Sequence, residues 1–301
     1  MGAIKININK KIVNINFDII NVLKDEITYG GYLVSLCSPC LLISTCLILN
    51  INIDIPLLLI SYLIPLIVYS YDYYSDIDKD IKNDSLRAAY LKKKAKNYPF
   101  LLGFYIIFLV LLLILFANIS LISFIMIMIF GGILYNFLFK DLTKKIPAFK
   151  NVFTAMIWAS GGAFFPLFYY SANINLSFII MFLLIFLRVM INVIFFDLKD
   201  IDNDSTNGIK TLPVVLGKKS TINILNTINV IAFVPLILGI YFSIINFSAI
   251  SLLIFCFYGY FYINKANSAS SNELESTAHT LADTEFIMWP LVLIIMSFIL
   301  N

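Results

Sequence analysis

The stretch PFLLGFYIIFLVLLLILFANISLISFIMIMIFGGILYNFLF, residues 99–139, decides the fold of this chain. It contains no charged side chain, and it is long enough for two helices that each need about 20 residues to cross the hydrocarbon of a bilayer. Asn118, near its middle, marks a tight turn. The stretch therefore predicts two transmembrane helices, over 99–118 and 119–139.

The composition of the whole chain extends this prediction. Its 301 residues are 60% hydrophobic and only 13% charged, and the mean hydropathy of +0.92 excludes an ordinary soluble domain. Further apolar runs of spanning length lie at 29–50, 55–73, 150–171, 175–197, 223–246, 248–264 and 284–300. We therefore expect a single all-α, polytopic membrane domain over 1–301, with about nine transmembrane helices around a central cavity.

The basic residues predict the orientation of these helices. Apart from Arg188, they lie in the N-terminal segment or follow the second, fourth, sixth and eighth predicted spans, and the short loops at 51–54, 118–119, 172–175 and 246–248 contain none. Lysine and arginine near span ends stay on the cytoplasmic side. We expect a multi-pass protein of the cell membrane with a cytoplasmic N-terminus and an external C-terminus. The polar stretches 74–98, 198–222 and 265–283 then form a cytoplasmic cap.

Two acidic clusters stand where apolar runs give way to these polar loops. The first has the spacing D-x3-D-x3-D and the second D-x2-D-x3-D, so on a helix each cluster lines one face. Acidic residues near helix ends are ordinary, but two such faces on one side of the membrane would repel themselves without a counter-ion. Mg²⁺ is the natural counter-ion for hard oxygen ligands. The predicted metal-binding and catalytic residues are Asp72, Asp76 and Asp80, with Asp197, Asp200 and Asp204.

The placement of the clusters also suggests an internal repeat. They close the second and sixth predicted spans, so the segments 29–140 and 150–264 read as two four-helix units. A last helix, 284–300, follows.

The residues after each cluster carry a family resemblance. Asn83 and Arg87 follow the first cluster, and the string GIKTLP, residues 208–213, follows the second. With these motifs the chain resembles the UbiA superfamily of intramembrane prenyltransferases over essentially its whole length. Members carry an NDxxDxxxD-like motif followed by Asn and Arg, then a second DxxDxxxD-like motif followed by GxxTLP. The first motif departs from that pattern, with Asp72 in place of Asn and Tyr73 in place of Asp, which leaves the subfamily and the acceptor open.

The resemblance implies a reaction and a set of site residues. It implies a Mg²⁺-dependent enzyme that ionises an isoprenyl diphosphate and transfers the prenyl group to a small lipid or aromatic acceptor. Of these two acceptor classes, we expect the aromatic one. The partners are thus two small molecules and the membrane, with no nucleic acid. Basic residues at a dry cavity mouth would also neutralise the diphosphate oxygens, although Lys140 is equally placed to be a topogenic lysine. The predicted diphosphate-binding residues are Asn83, Arg87, Tyr135, Lys140 and Lys210.

Three other functions remain open. A terpene synthase of the UbiA type would use the same metal sites and cyclise the prenyl diphosphate without an acceptor. A transporter would also place acids at helix ends, but with more polar residues at mid-span. A CDP-alcohol phosphotransferase would need a D-x2-D-G-x2-A-R string, which the chain lacks. Prenyl chain length, acceptor identity and oligomeric state have no readable signature in the sequence.

For several polar residues outside the acidic clusters, the sequence predicts a structural role or exposure to solvent. Arg188, inside a span, must meet either a site or an internal ion partner, and Asn192 lies one helical turn away. We expect Asp283 and Glu285 to cap the last helix, and His279 to be structural or exposed. Asp78, Asp84 and Asp202 lie off the acidic faces and are expected in solvent. The four cysteines, including the C-x-x-C pair at 37 and 40, are expected to pack as small residues without a disulfide.

Overall fold

The computed structural model describes residues 26–27, 29–82, 90–92, 94–134 and 140–300, and within these ranges the chain is helical with no strand. This confirms the all-α prediction. Short 3-10 segments separate some of the helices. The α-helices are α1 (Tyr32–Leu49), α2 (Ile55–Lys82), α3 (Tyr98–Phe116), α4 (Ile119–Leu134), α5 (Phe149–Tyr169), α6 (Leu176–Asp197), α7 (Ile201–Thr206), α8 (Leu212–Leu216), α9 (Lys218–Ile231), α10 (Val234–Tyr241), α11 (Ile254–Lys265), α12 (Ser271–Thr277) and α13 (Asp283–Leu300).

Nine apolar segments of the described chain match the nine predicted spans. Eight are long and apolar enough to cross a membrane, and the shorter apolar helix Ile119–Gly132 stands at the position of the fourth span. Some bounds differ from the predicted ones, and the span predicted over 223–246 lies at Lys218–Tyr241. Helix α2 continues past residue 73 to Lys82, and the helical segment at the chain's end begins near Ser271, because Ala278–Ala282 joins α12 to α13 as a π-helix.

The centre of the molecule is built on close contacts of small residues. Ala155, Ala159 and Ala163 recur at every fourth position of α5 and are fully buried. The carbonyl of Gly162 on the same helix accepts a hydrogen bond of 2.8 Å from the Thr45 hydroxyl on α1. Helices in lipid gain no hydrophobic energy from leaving water, so small side chains and interhelical hydrogen bonds hold them together.

The outer surface is apolar, as a bilayer requires. Helix α3 exposes Phe100, Ile114 and Leu115, and α4 begins with the exposed Ile119. A water-facing surface of this kind would be unfavourable, whereas lipid tails solvate it without cost.

A buried ion pair joins α6 to α13. The Arg188 guanidinium donates to both carboxylate oxygens of Glu285, from Nε at 2.8 Å and from Nη2 at 2.6 Å, and Nη1 donates to Asn229. The Arg188 and Glu285 side chains are each at most 1% exposed. Of the two possibilities predicted for Arg188, the internal ion pair is correct.

The prediction that Asp283 and Glu285 cap a helix was wrong. The helical path has already begun at Ser271, so both residues lie well inside it and are buried. His279 packs edge-on against Phe196 at 5.1 Å between ring centroids and lies mostly buried, which agrees with a structural role. All four cysteine thiols are free.

Candidate functional site

The sequence predicted that the second acidic cluster lies on one continuous helix. In the structure the cluster is divided between two helices. Helix α6 ends at Asp197, and the next residues form a turn in which the Asp200 N–H donates to the Asp197 carbonyl at 3.1 Å. Asp200 then stands at the start of the short helix α7, which carries Asp204. The turn replaces the i→i+4 hydrogen bonds of a helix with shorter i→i+3 ones. Asp197 and Asp204, on either side of this turn, are both buried, at 5% and 6% exposure.

Asp197 is held by a side chain from the neighbouring helix. Asn151, in the first turn of α5, donates from Nδ2 to Asp197 Oδ2 at 2.6 Å, and it is itself only 1% exposed. This contact fixes the Asp197 carboxylate at the end of α6. The Asn151 Oδ1 atom remains free to meet another group.

Asp200 has a different environment. Both of its carboxylate oxygens accept from Lys199 Nζ at 2.9 Å, and the pair is partly exposed. Because Asp197 is bound by Asn151 and Asp200 by Lys199, the three carboxylates do not form a ready-made ligand set. Within the described ranges no three His, Cys, Asp or Glu side chains form a group that could hold a metal ion.

The GIKTLP segment folds back toward Asp204. Gly208 has φ +69°, a left-handed conformation that favours glycine. The Ile209 N–H then donates to the Asp204 carbonyl at 2.9 Å. Lys210 next pairs with the segment before α5, since its N–H donates to the Thr143 carbonyl at 3.0 Å and its carbonyl accepts from the Ala148 N–H at 3.1 Å. Its side chain is exposed.

This backbone pairing brings Thr211 close to Asp204. The two side chains lie close together, although the Asp204 Oδ2 and Thr211 Oγ1 atoms do not meet in hydrogen-bond geometry. Burial is the strongest influence on Asp204 and raises the pKa of its carboxyl. Lys150 opposes that rise, and the charge of Asp200 adds to it. Asp204 is thus a buried acid whose charge the protein only partly offsets.

Unsatisfied oxygen atoms concentrate at this site. Over the described residues, four buried side-chain polar atoms have no hydrogen-bond partner, and three of them are Asn151 Oδ1, Asp204 Oδ2 and Thr211 Oγ1. An unmade hydrogen bond in a buried position costs about 1–3 kcal/mol, so three such atoms on residues at or next to Asp197 and Asp204 indicate a bound group. Carboxylate, amide and hydroxyl oxygens are hard ligands, and this donor set fits Mg²⁺.

The first acidic cluster is helical, as predicted. Asp72, Asp76 and Asp80 lie one turn apart on α2. Asp72 is exposed, and the Asp76 and Asp80 side chains fall outside the description.

The other predicted residues are only partly described. Asn83, Arg87 and Tyr135 lie outside the described ranges. For Lys140 the structure describes only the backbone, which begins a 3-10 segment over Lys140–Lys144. The predicted roles of all four in binding diphosphate stay predictions. Asp78 and Asp84 cannot be placed either, whereas Asp202 is exposed as expected.

Three side chains of the site were not predicted as ligands or charge partners. Lys150 and Asn151 follow each other at the start of α5, and Thr211 lies inside GIKTLP. The sequence offered one indication of these roles: Lys150 and Asn151 are polar residues at the end of an apolar helix, and Thr211 is a polar residue that follows an acidic cluster. Their roles appear only when the fold brings α5, α6 and the GIKTLP segment together.

Comparison with known proteins places this geometry in a family. The sequence profile of the UbiA prenyltransferase family matches residues 33–282. The structure is similar to that of a UbiA homolog from Aeropyrum pernix K1, with a TM-score of 0.61 and 13% identity over 91% of this chain and 98% of that one. It is also similar to a structure reported for digeranylgeranylglyceryl phosphate synthase, with a TM-score of 0.57 and 18% identity over the same shares. No curated protein sequence matches the chain.

Proposed function

The chain belongs to the UbiA prenyltransferase family, and we propose that it is a magnesium-dependent enzyme that ionises an isoprenyl diphosphate and transfers the prenyl group to a small acceptor. The cluster of three unsatisfied oxygens at Asn151, Asp204 and Thr211 carries this proposal. These atoms are buried beside Asp197 at the end of a membrane-spanning helix, where a metal-bound diphosphate would satisfy them.

Mg²⁺ would be held by the carboxylates of Asp197, Asp200 and Asp204, with Asn151 and Thr211 as further oxygen ligands. When bound, the metal would offset charge on the diphosphate and so make it a better leaving group. Helix α2 would offer Asp72, Asp76 and Asp80 to a second ion, as the family resemblance implies.

Basic residues of the chain would bind the remaining diphosphate oxygens. Lys150 is exposed at the start of α5 and lies near enough to Asp204 to lower its pKa. Lys210 is exposed on the segment that pairs with residues 143–148. Two lysines at the mouth of a partly buried site supply positive charge where negative charge develops on the leaving group. The residues that the resemblance adds to this set are Asn83, Arg87, Tyr135 and Lys140.

The membrane interior would protect the reactive cation. Tyr69, Trp158 and Phe286 line an interior cavity between the spanning helices. Aromatic faces stabilise a nearby cation, and the scarcity of water there prevents its capture as an alcohol. We place the diphosphate site on the cytoplasmic side, because the basic residues lie in the loops of that side.

A UbiA-type terpene synthase is the second candidate. The unusual first acidic motif, with Asp72 and Tyr73 in place of Asn and Asp, favours it. In that reaction the cation would cyclise between the spanning helices, and no second substrate would be needed.

Product analysis separates the two candidates. The purified protein is incubated with geranyl, farnesyl or geranylgeranyl diphosphate, with and without acceptors, and diphosphate release and organic products are measured. We expect Mg²⁺-dependent release that EDTA stops, and a prenylated acceptor as the product. A cyclic hydrocarbon formed without an acceptor would instead support the synthase.

Two variants test the metal-site assignment in the same assay. Asp76→Ala and Asp200→Ala should abolish Mg²⁺-dependent release while the protein still extracts and folds, because each removes a carboxylate from an acidic cluster. Asp202→Ala is the matched control, since Asp202 is exposed beside the site, and it should keep wild-type activity. Near-normal turnover in Asp76→Ala or Asp200→Ala would contradict the two-cluster mechanism.

A further inference from the structure

A second buried carboxylate lies deeper in the protein than the diphosphate site. Asp283, on α13, is 3% exposed and lines an interior cavity of about 30 Å³ together with Cys37, Tyr69, Trp158, Asn192 and Phe286. A cavity needs roughly 10–15 Å³ to hold one water-sized oxygen. There is thus room beside Asp283 for a hydroxyl group.

The cavity lies directly below the diphosphate site on two helices. Trp158 is seven residues after Asn151 on α5, and Tyr69 is seven residues before Asp76 on α2. Seven residues are close to two helical turns, so each pair shares a helix face and is about 10.5 Å apart along the axis. The cavity therefore lies on the membrane side of the proposed diphosphate site, where the prenyl chain of a bound substrate would enter the protein.

Among the residues that the structure describes, Asp283 has no cationic partner comparable to the arginine that pairs with the nearby Glu285. Glu285, two residues later, has both oxygens bound by Arg188. Asp283 Oδ1 accepts one hydrogen bond of 3.0 Å from Asn192 Nδ2, and Oδ2 lies 3.6 Å from His279 Nδ1. Across the described ranges Asp283 has no ion pair with lysine or arginine. A buried acid without a strong cation is costly within a membrane and indicates a functional site.

The local backbone adds a second indication. The π-helix Ala278–Ala282 ends immediately before Asp283, and π-segments within helices occur frequently at functional sites. The Cys37 thiol donates to the Asp283 carbonyl at 3.3 Å, which helps to fix this part of α13 against α1. Asp283 is thus held in place at the cavity that it lines.

We propose that Asp283 binds the hydroxyl group of the acceptor and takes its proton during prenyl transfer. This inference rests on the proposed function. The C1–O bond of the prenyl diphosphate breaks, and its electron pair leaves with the diphosphate. A lone pair of the acceptor oxygen, or a ring π-pair of a phenol, forms the new bond to C1. The hydroxyl proton moves to an Asp283 carboxylate oxygen. After ring attack this leaves a dienone, whose ring C–H proton then transfers to its oxygen and restores the phenol. The acceptor class is therefore a phenol or a lipid alcohol.

The test compares wild-type protein with Asp283→Asn, using geranylgeranyl diphosphate and Mg²⁺. The acceptors are 4-methoxyphenol and 4-methylphenol, which are similarly weak acids, the more acidic 4-cyanophenol, and 1,2-dioleoylglycerol as the lipid alcohol. Diphosphate, prenylated product and prenyl alcohol are each quantified. In Asp283→Asn we expect diphosphate release close to the wild-type rate, with transfer to the weakly acidic phenols reduced about a hundredfold and prenyl alcohol formed in its place.

Acceptor acidity provides a readout that a structural role would not change. An acidic phenol loses its proton without help, so the defect of Asp283→Asn should shrink from 4-methoxyphenol to 4-cyanophenol. An equal loss for all phenols would overturn the proposal, as would a parallel loss of diphosphate release and transfer. A further outcome is that the wild type prenylates only the lipid alcohol. In that case a loss of about a hundredfold in prenyl transfer to the lipid alcohol in Asp283→Asn, with diphosphate release retained, supports a lipid alcohol as the acceptor.

The remaining outcomes separate this inference from the proposed function. No diphosphate release by the wild type would overturn both. Release without transfer to any phenol or to the lipid alcohol would overturn the role of Asp283 and leave ionisation intact. If Asp283→Asn fails to fold, labelling of the wild type with dicyclohexylcarbodiimide replaces it. Modification of Asp283 that the accepted hydroxyl compound suppresses supports the proposal, and unchanged modification contradicts it.

Discussion

At the scale of one residue, the negative charge that Asp204 would need to bind a metal lowers the stability of the metal-free protein. Burial raises the pKa of this carboxyl, so the charged form is less favourable in the folded protein than in the unfolded one. An acid with a raised folded pKa contributes stability at low pH, and that contribution is lost as the pH rises through the folded pKa. At neutral pH the Asp204 charge therefore destabilises the metal-free protein.

Removing the charge of Asp204 should therefore stabilise the metal-free protein. Asp204→Asn removes the buried charge, and in EDTA its unfolding temperature should equal or exceed that of the wild type. Asp202→Asn, two residues away and exposed, should leave the unfolding temperature unchanged. Thermal unfolding in detergent measures both. A clear loss of stability in Asp204→Asn would show that its charge is satisfied in a way the described contacts omit.

The acidic residues could be predicted from the sequence, whereas their partners could not. Spacing and charge identify Asp197, Asp200 and Asp204 as a group. The pairing of Asn151 with Asp197 joins residues 46 positions apart, and no local pattern indicates which amide meets which carboxylate. Thr211 belongs to a recognised string, but its position beside Asp204 depends on the backbone pairing of Lys210.

At the scale of the helix, α13 carries both a structural and a reactive acid. Arg188 and Glu285 bind α6 to α13 through a fully buried ion pair. Breaking such a pair leaves one charge without its partner, which costs about 3–5 kcal/mol, whereas apolar replacement of both partners is often neutral.

A double-mutant comparison tests this role. Arg188→Met alone should lower stability by about 3–5 kcal/mol because Glu285 is left charged and buried. Adding Glu285→Leu should restore most of that loss. The free energy of unfolding in mixed micelles is the measurement, and a double variant that is less stable than Arg188→Met would contradict a structural ion pair.

Helix positions followed from the sequence better than helix ends did. The span at 175–197 corresponds to α6, Leu176–Asp197, because long apolar runs are unambiguous. The early start of the last helical segment was missed, since its residues are polar. A signal was present in Ser270 and Glu273, which form a capping box. The turn after Asp197 had no such signal, because it contains neither Gly nor Pro.

At the scale of the whole molecule, three polar groups lie on α6 and its neighbours at successive depths. Asp197 stands at the helix end, Asn192 with Asp283 lies five residues further in, and Arg188 with Glu285 four residues beyond that. We propose diphosphate binding, proton transfer and helix attachment as their respective roles. The nine apolar segments and the family follow from composition and motifs, while this order of depth appears only in the fold.

We propose that the unsatisfied oxygens near Asp197 bind a metal-diphosphate complex. Calorimetric titration with geranylgeranyl thiolodiphosphate, a substrate analogue that resists ionisation, tests it directly. Wild type and Asp202→Asn should bind the analogue only with Mg²⁺ present, and Asp204→Asn should lose most of that Mg²⁺-dependent affinity while remaining folded. Equal, Mg²⁺-dependent affinity in wild type and Asp204→Asn would contradict the claim.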